Sequence, residues 1–189
     1  MTLDIFTEAR SAKVFHDTPV TVDQLKSLYE VAKWAPSESN SCPMRLTFVH
    51  SDAAKAKLRP FIVEPNRPKS DSAPVIAIVA YDSAFTDHLA TLAPHLPSPS
   101  YFDQMPPDAR EWSGFRSANL QAGMLIAAAR AMGLDCGPLG GFDRAGVDQA
   151  FYADSTWRTS FLLMLGHANA EENYPRGARP DFEQACELL

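Results

Sequence analysis

The chain has 189 residues, 46% hydrophobic and 21% charged, enough apolar material for one domain with a sizeable core. A net charge of −6 argues against the basic surface of a nucleic-acid-binding protein, and no apolar run reaches the roughly 18 residues that a membrane span needs. Cys42, Cys136 and Cys186 are widely spaced and form no CxxC pair, so neither a disulfide framework nor a zinc ribbon is implied, and a reducing, cytoplasmic setting fits.

The N-terminal MTLDIFTEAR carries acids and lacks a long apolar stretch, so it does not read as a signal peptide. A short helix is expected over residues 2–9, with Leu3, Ile5 and Phe6 inward. Arg10, Ser11 and Lys13 follow, a fork donor, a hydroxyl and a point charge at close spacing. Such a set suits a phosphate, although two cations this close more commonly form a solvated edge. Thr21 and Gln24 make a capping box for a helix in which Val22, Leu25, Leu28, Tyr29 and Ala32 recur at helical spacing and are expected to form its buried face. That helix ends near Trp34. Pro36 and Pro43 then bracket a non-helical loop, Ser37-Glu38-Ser39-Asn40-Ser41-Cys42, whose short polar side chains bond nearby backbone and free main-chain donors for a ligand.

A strand is expected over 46–50, and a short helix capped by Asp52 over 53–58. Asn66 and Lys69 lie three apart in a polar break, so one helical turn would face them the same way. PVIAIVAY at 74–81 is a continuous apolar run of strand length and predicts a strand covered on both faces. Residues 83–108 are irregular and proline-rich. A short helix over 85–92 and a long excursion through Tyr101, Phe102 and Met105 suit a lid or binding loop. His88 and His95 lack metal-ligand spacing.

The longest helix is expected over 111–132. Leu120, Gly123, Met124, Ala127, Ala128 and Ala131 make it apolar over most of its circumference, as a central or subunit-shared helix requires. Gly133 ends it. The run LDCGPLGGFD then reads as a glycine-rich loop in which backbone approaches a ligand closely. It is neither a GxGxxG fingerprint nor a P-loop. Asp143 caps a helix to 151, 159–165 is a last strand, and Asp181 caps a helix to 188. Between them lies a basic, turn-rich tail with Arg176 and Arg179.

In this order the segments resemble the nitroreductase family of flavoproteins. The resemblance rests on ARSAKVF, on WAPSESNSCP ending a helix, on Asn66-x-x-Lys69, on the small-residue helix running into GPLGGFD, and on the arginine-bearing tail. Within the family, FTEAR, KWAPSESNSCPMR, PVIAIVAYDS, FRSANLQAG, AMGLDCGP, GGFDR and FEQACELL are most similar to the malonic semialdehyde reductase branch associated with pyrimidine use. The resemblance implies an α+β fold over the whole of 1–189, a mainly antiparallel sheet between helices, and an interlocked homodimer with FMN at its interface.

It further implies that Arg10, Ser11 and Lys13 hold the FMN phosphate, with Arg176 and Arg179 nearby. Pro36, Ser37, Ser39 and Asn40 would lie against the ring and ribityl chain, Asn66 and Lys69 at the ring's polar edge, and Pro138, Leu139, Gly140 and Gly141 opposite its reactive nitrogen. NADH or NADPH would reduce the flavin, and an acceptor would then take the hydride in ping-pong fashion. By branch, that acceptor is a small aldehyde such as malonic semialdehyde, giving 3-hydroxypropionate. A nitroaromatic or quinone reductase and a non-catalytic flavin-binding or storage protein are the alternatives. The cofactor carries the hard chemistry, so no side chain is assigned as catalytic. Two departures from the family pattern stand out: Ala9 where many members have a second basic residue, and Gly140 where many have Glu.

Overall fold

A computed structural model describes residues 3–189. The strands are β1 (Met44–Val49), β2 (Val75–Asp82), β3 (Asp135–Leu139) and β4 (Trp157–Gly166). They form one sheet in the order β1-β2-β4-β3, with every neighbouring pair antiparallel. The helices are α1 (Asp4–Thr7), α2 (Val22–Ala32), α3 (Asp52–Leu58), α4 (Arg67–Ser72), α5 (Leu89–Leu92), α6 (Pro107–Ala131), α7 (Arg144–Tyr152) and α8 (Phe182–Ala185). This is the expected α+β architecture.

β2 is buried along its whole length, and cover on both faces of its two-residue period explains why its sequence is apolar from Val75 to Tyr81. Val75, Ala77, Val79 and Tyr81 pack with Leu25, Leu28 and Ala32 of α2 and with Ala118, Ala122, Leu125 and Ala129 of α6. Ile76, Ile78 and Ala80 face the other way, onto Phe15, Leu58, Ile62, Val147 and Tyr152. The sheet is thus the middle layer between two apolar clusters. A third cluster lies under the irregular stretch, where Phe85 and Phe102 are fully buried with Leu89 and Ala93.

The Thr21–Gln24 capping box forms as expected. Several expectations need correction. Ser51, not Asp52, caps α3: its hydroxyl accepts from the Ala54 N–H, and Asp52 sits in the first turn, where the helix dipole favours a carboxylate. α6 starts four residues early, because Pro107 at its N-terminus lacks only a donor that would be unsatisfied anyway. The expected 85–92 helix splits into a 3-10 turn, Phe85–His88, and α5. The glycine-rich run is not all loop, since residues 135–139 are an edge strand. There Pro138 is exposed and its missing N–H is tolerated. The final helix stops at Ala185.

The expected helix over 2–9 begins at Thr2, outside the described residues, and α1 covers Asp4–Thr7. Leu3 and Phe6 are 74% and 60% exposed, so its apolar side is not covered within one chain. α6 shows the same division. Ala118, Ala122, Leu125 and Ala129 are buried on the sheet, while Leu120 and Met124 are half-exposed and a methyl group at Gly123 would meet nothing.

Candidate functional site

One cavity of about 640 Å³ gathers most of the residues singled out from the sequence. Arg10, Ser11 and Lys13 form one wall. Their segment is stitched along β3: the Ala12 N–H donates to the Cys136 carbonyl at 2.9 Å, and Ser11 bridges Cys136 in parallel sense. Gly137 makes this approach possible, because a methyl group there would run into the Ala12 carbonyl oxygen and the Met164 side chain. Phe15 anchors the segment in the core, and its N–H donates to the Ser72 hydroxyl at 3.2 Å.

Asn66 and Lys69 line the same cavity from the start of α4, and their three-residue spacing does bring them together. Lys69 Nζ donates to Asn66 Oδ1 at 3.3 Å, and Asn66 Nδ2 donates to the Gly141 carbonyl at 3.4 Å. A methyl group at Gly141 would run into the Asn66 carboxamide. Pro138, Leu139 and Gly140 line the cavity from the end of β3, and a side chain at Gly140 would meet open space. The tail closes another side with Tyr174, Arg176 and Arg179. The Lys13 ammonium lies on the Tyr174 ring, and the Lys13 N–H donates to Asn173 Oδ1 at 3.3 Å. The hydrogen bond and charge of Lys13 hold the Tyr174 phenol below its ordinary pKa.

The charge distribution is one-sided. Among the described residues six cations line the cavity, Arg10, Lys13, Lys69, Arg130, Arg176 and Arg179, and no carboxylate does. Among the described residues none of the six joins an ion pair. The arginines rest on carbonyls: Arg10 on Glu8 and Ala9, Arg176 on Ala9, Arg179 on Gly177 and Ala178. In a chain of net charge −6, such a concentration of cations favours an anion. A ligand with a phosphate and a planar, hydrogen-bonding body fits this donor set, and Arg130 Nε, buried and without a partner among the described residues, leaves a donor unspent.

Pro36, Ser37, Ser39 and Asn40 are not on this cavity's wall. Their loop is a 3-10 turn, Glu38–Asn40, with Ser39, Asn40 and Cys42 at φ of 49°, 54° and 42°. The expected non-helical segment therefore contains a turn of helix broken by left-handed residues. Glu38 holds it. The carboxylate accepts from Ser113 Oγ at 2.5 Å, Arg116 Nη2 at 2.7 Å and Tyr101 Oη at 3.0 Å, while the Glu38 N–H donates to Ser117 Oγ at 3.2 Å. Burial pushes the Glu38 carboxyl up, but the three hydrogen bonds and the Arg116 charge outweigh it, and its pKa lies below the ordinary value. Ser39 touches the same Tyr101 hydroxyl, and Asn40 Nδ2 donates to the Leu92 carbonyl at 2.6 Å.

Sequence reasoning passed over Arg130 and Tyr174. Arg130 had one signal: it is the only charged residue between Arg116 and Asp135. Cys136, flanking the site, is fully buried; burial pushes its thiol up to about 12, which leaves it a packing residue.

Residues 7–167 match the model of the nitroreductase family, and the chain belongs to that family. A "Putative NADH dehydrogenase/NAD(P)H nitroreductase" of Leptothrix cholodnii is 44% identical over 187 residues, covering 98% of this chain and 94% of the relative. One of the same description from Cupriavidus pinatubonensis is 43% identical, covering 97% and 95%. Among solved structures, a "putative nitroreductase in complex with FMN" from Exiguobacterium sibiricum superposes with a TM-score of 0.88 over 99% of this chain and 96% of that one, at 22% identity.

Proposed function

We propose that this chain is an FMN-dependent NAD(P)H oxidoreductase, one domain over 1–189, that works as a homodimer in the reducing setting of the cytoplasm. The observation that carries this reading is the cavity wall of six cations and no carboxylate, built beside the close-backbone segment 137–141. Bound FMN supplies hydride uptake from NAD(P)H and hydride delivery to an acceptor.

The chain's own residues do the rest. Arg10, Ser11, Lys13, Arg176 and Arg179 bind the phosphate, since guanidinium forks and an ammonium suit its oxygens. Asn66 and Lys69 present donors to the ring's polar edge and fix each other's orientation through their mutual hydrogen bond. Pro138 to Gly141 offer backbone with little side-chain bulk, so the ring can lie close. Pro36, Ser37, Ser39 and Asn40 serve the cavity of the partner copy. The exposed apolar faces of α6 and α1, and the wholly exposed tail from 175 to 189, support an interface that brings that loop across.

The acceptor we favour is a small aldehyde such as malonic semialdehyde, reduced to 3-hydroxypropionate. Support comes from the segments shared with that branch, FRSANLQAG and GGFDR among them, and a nitroaromatic or quinone is the competing acceptor.

The test is an absorbance spectrum after FMN saturation and removal of the excess, repeated without oxygen in NADH or NADPH. A retained spectrum that bleaches with one nucleotide supports the reductase and names its donor. A retained spectrum that neither bleaches leaves a flavin store, and no retained flavin removes the reading. Turnover with malonic semialdehyde, set beside a nitroaromatic and a quinone, then decides the acceptor.

A further inference from the structure

Arg130 has no role in any of these assignments, and its chemistry is unfinished. It lies in the last turn of α6, where a cation complements the helix dipole, and its Nη1 donates to the Ile5 carbonyl at 3.3 Å. A guanidinium has five N–H donors. Among the described residues this is the one contact it makes, its Nε is buried without a partner, and no carboxylate pairs with it. An unsatisfied buried donor on a charged group is expensive, so such groups persist where a ligand completes them. Arg130 lines the same cavity as Arg10, Ser11 and Lys13, and its charge is felt at Cys136, the residue to which Ser11 and Ala12 are stitched.

We propose that Arg130 is a phosphate-binding residue of this site, reaching the ligand's anionic end from α6 and adding a fifth cation to the four assigned to the phosphate, from an element the sequence motifs do not include. The inference rests on the cofactor reading above and deepens it. The bland alternative is that Arg130 only ties α1 to α6.

Riboflavin separates the two, because it has the ring and ribityl chain of FMN without the phosphate. Affinities of the full chain for FMN and riboflavin are measured by quenching of flavin fluorescence, for wild type, Arg130→Gln and Arg130→Lys. Gln keeps a donor for the Ile5 carbonyl and removes the charge. It is expected to weaken FMN about tenfold to a hundredfold, the range for one charge-assisted hydrogen bond, and to change riboflavin less than twofold. Lys keeps the charge and is expected to recover most of the loss, which keeps the test open even where Gln folds poorly. Equal losses for both flavins, or no loss for either while wild type still prefers FMN, overturn this inference alone. A wild type with no preference for FMN overturns the cofactor reading and this inference together.

Discussion

The cavity wall and the 36–42 loop are built from similar residue types and end in opposite states. In the wall, backbone is satisfied and charge is not: segment 10–13 is bonded along β3, while Arg10 rests on carbonyls and Lys13 on the Tyr174 ring, with no acid beside them among the described residues. In the loop, the side chains are largely consumed, the buried Ser41 hydroxyl excepted, which has no partner among the described residues. Glu38 accepts three side-chain hydrogen bonds, Ser39 shares Tyr101, and Asn40 donates to Leu92. The wall keeps its charge unpaired among the described residues. The loop is a pre-shaped surface whose bonding holds three residues at positive φ, a conformation that neighbours must impose on non-glycine residues. Polar composition alone therefore does not mark a binding group; what marks it is the capacity left over after folding.

The largest effect on the loop's surroundings is expected from Asp82, at the root of the irregular stretch. Its carboxylate is buried and accepts from Arg45 at 2.8 Å, Thr156 at 2.6 Å and the Ala84 N–H at 3.0 Å, with His88 at 3.3 Å. Asp82→Ala leaves the Arg45 charge without its partner and is expected to destabilise by about 3–5 kcal/mol, read by denaturant unfolding. A loss under 1 kcal/mol would mean that the irregular stretch is held by the Phe85–Phe102 cluster alone. Next in size is the link between loop and wall. Met124→Glu places a charge on the half-exposed face of α6. It is expected to turn a dimer into a monomer by light scattering and to weaken FMN retention at least about tenfold, as losing an interface anchor does. A monomer that keeps its flavin would show that the loop is not part of the site.

Glu38→Gln probes the loop itself at smaller cost. A carboxamide oxygen can still accept from Ser113 and Arg116, and its NH2 can donate to the Tyr101 hydroxyl, but it meets Arg116 without charge, so about 1 kcal/mol is expected. The pH dependence has a fixed sign. The folded-state pKa of Glu38 lies below the ordinary 4.5, so its contribution is complete above that value and is lost as pH falls through the folded pKa. Wild type minus Glu38→Gln should therefore shrink in unfolding experiments below pH 4.5, and a difference that grows there would contradict the assigned bonds.

Period and caps made the frame legible. The two-faced burial of β2, the capping box of α2 and the Asp143 cap of α7 are local patterns with one physical solution each. β3 was hidden because glycine and proline are poor strand formers, and only the fold shows that Gly137 stands where Ala12 must come close. The spacing of Asn66 and Lys69 was readable as one helical turn. Arg130 was not readable, because a cation near a helix C-terminus already has a sufficient local reason. Leu3 and Phe6 of α1 were expected inward and are exposed, whereas α6 was expected to be central or shared with a partner, and in the single chain its Leu120 and Met124 are half-exposed.

Gly140 gives the smallest effect on stability and the sharpest contrast between space and charge. A Cβ there meets nothing within 4 Å and its φ is ordinary, so Gly140→Glu is expected to change stability by no more than about 0.5 kcal/mol. Yet it sets a carboxylate on a wall that has six cations and no acid. If the cations act as a shared field, FMN affinity should fall severalfold and the loss should shrink as salt is raised, because screening weakens the new charge along with the old ones. If each cation acts only through its own contact with the ligand, affinity should hold and the salt dependence should match wild type. Fluorescence titration of Gly140→Glu at two ionic strengths, beside wild type, distinguishes a field from a set of contacts.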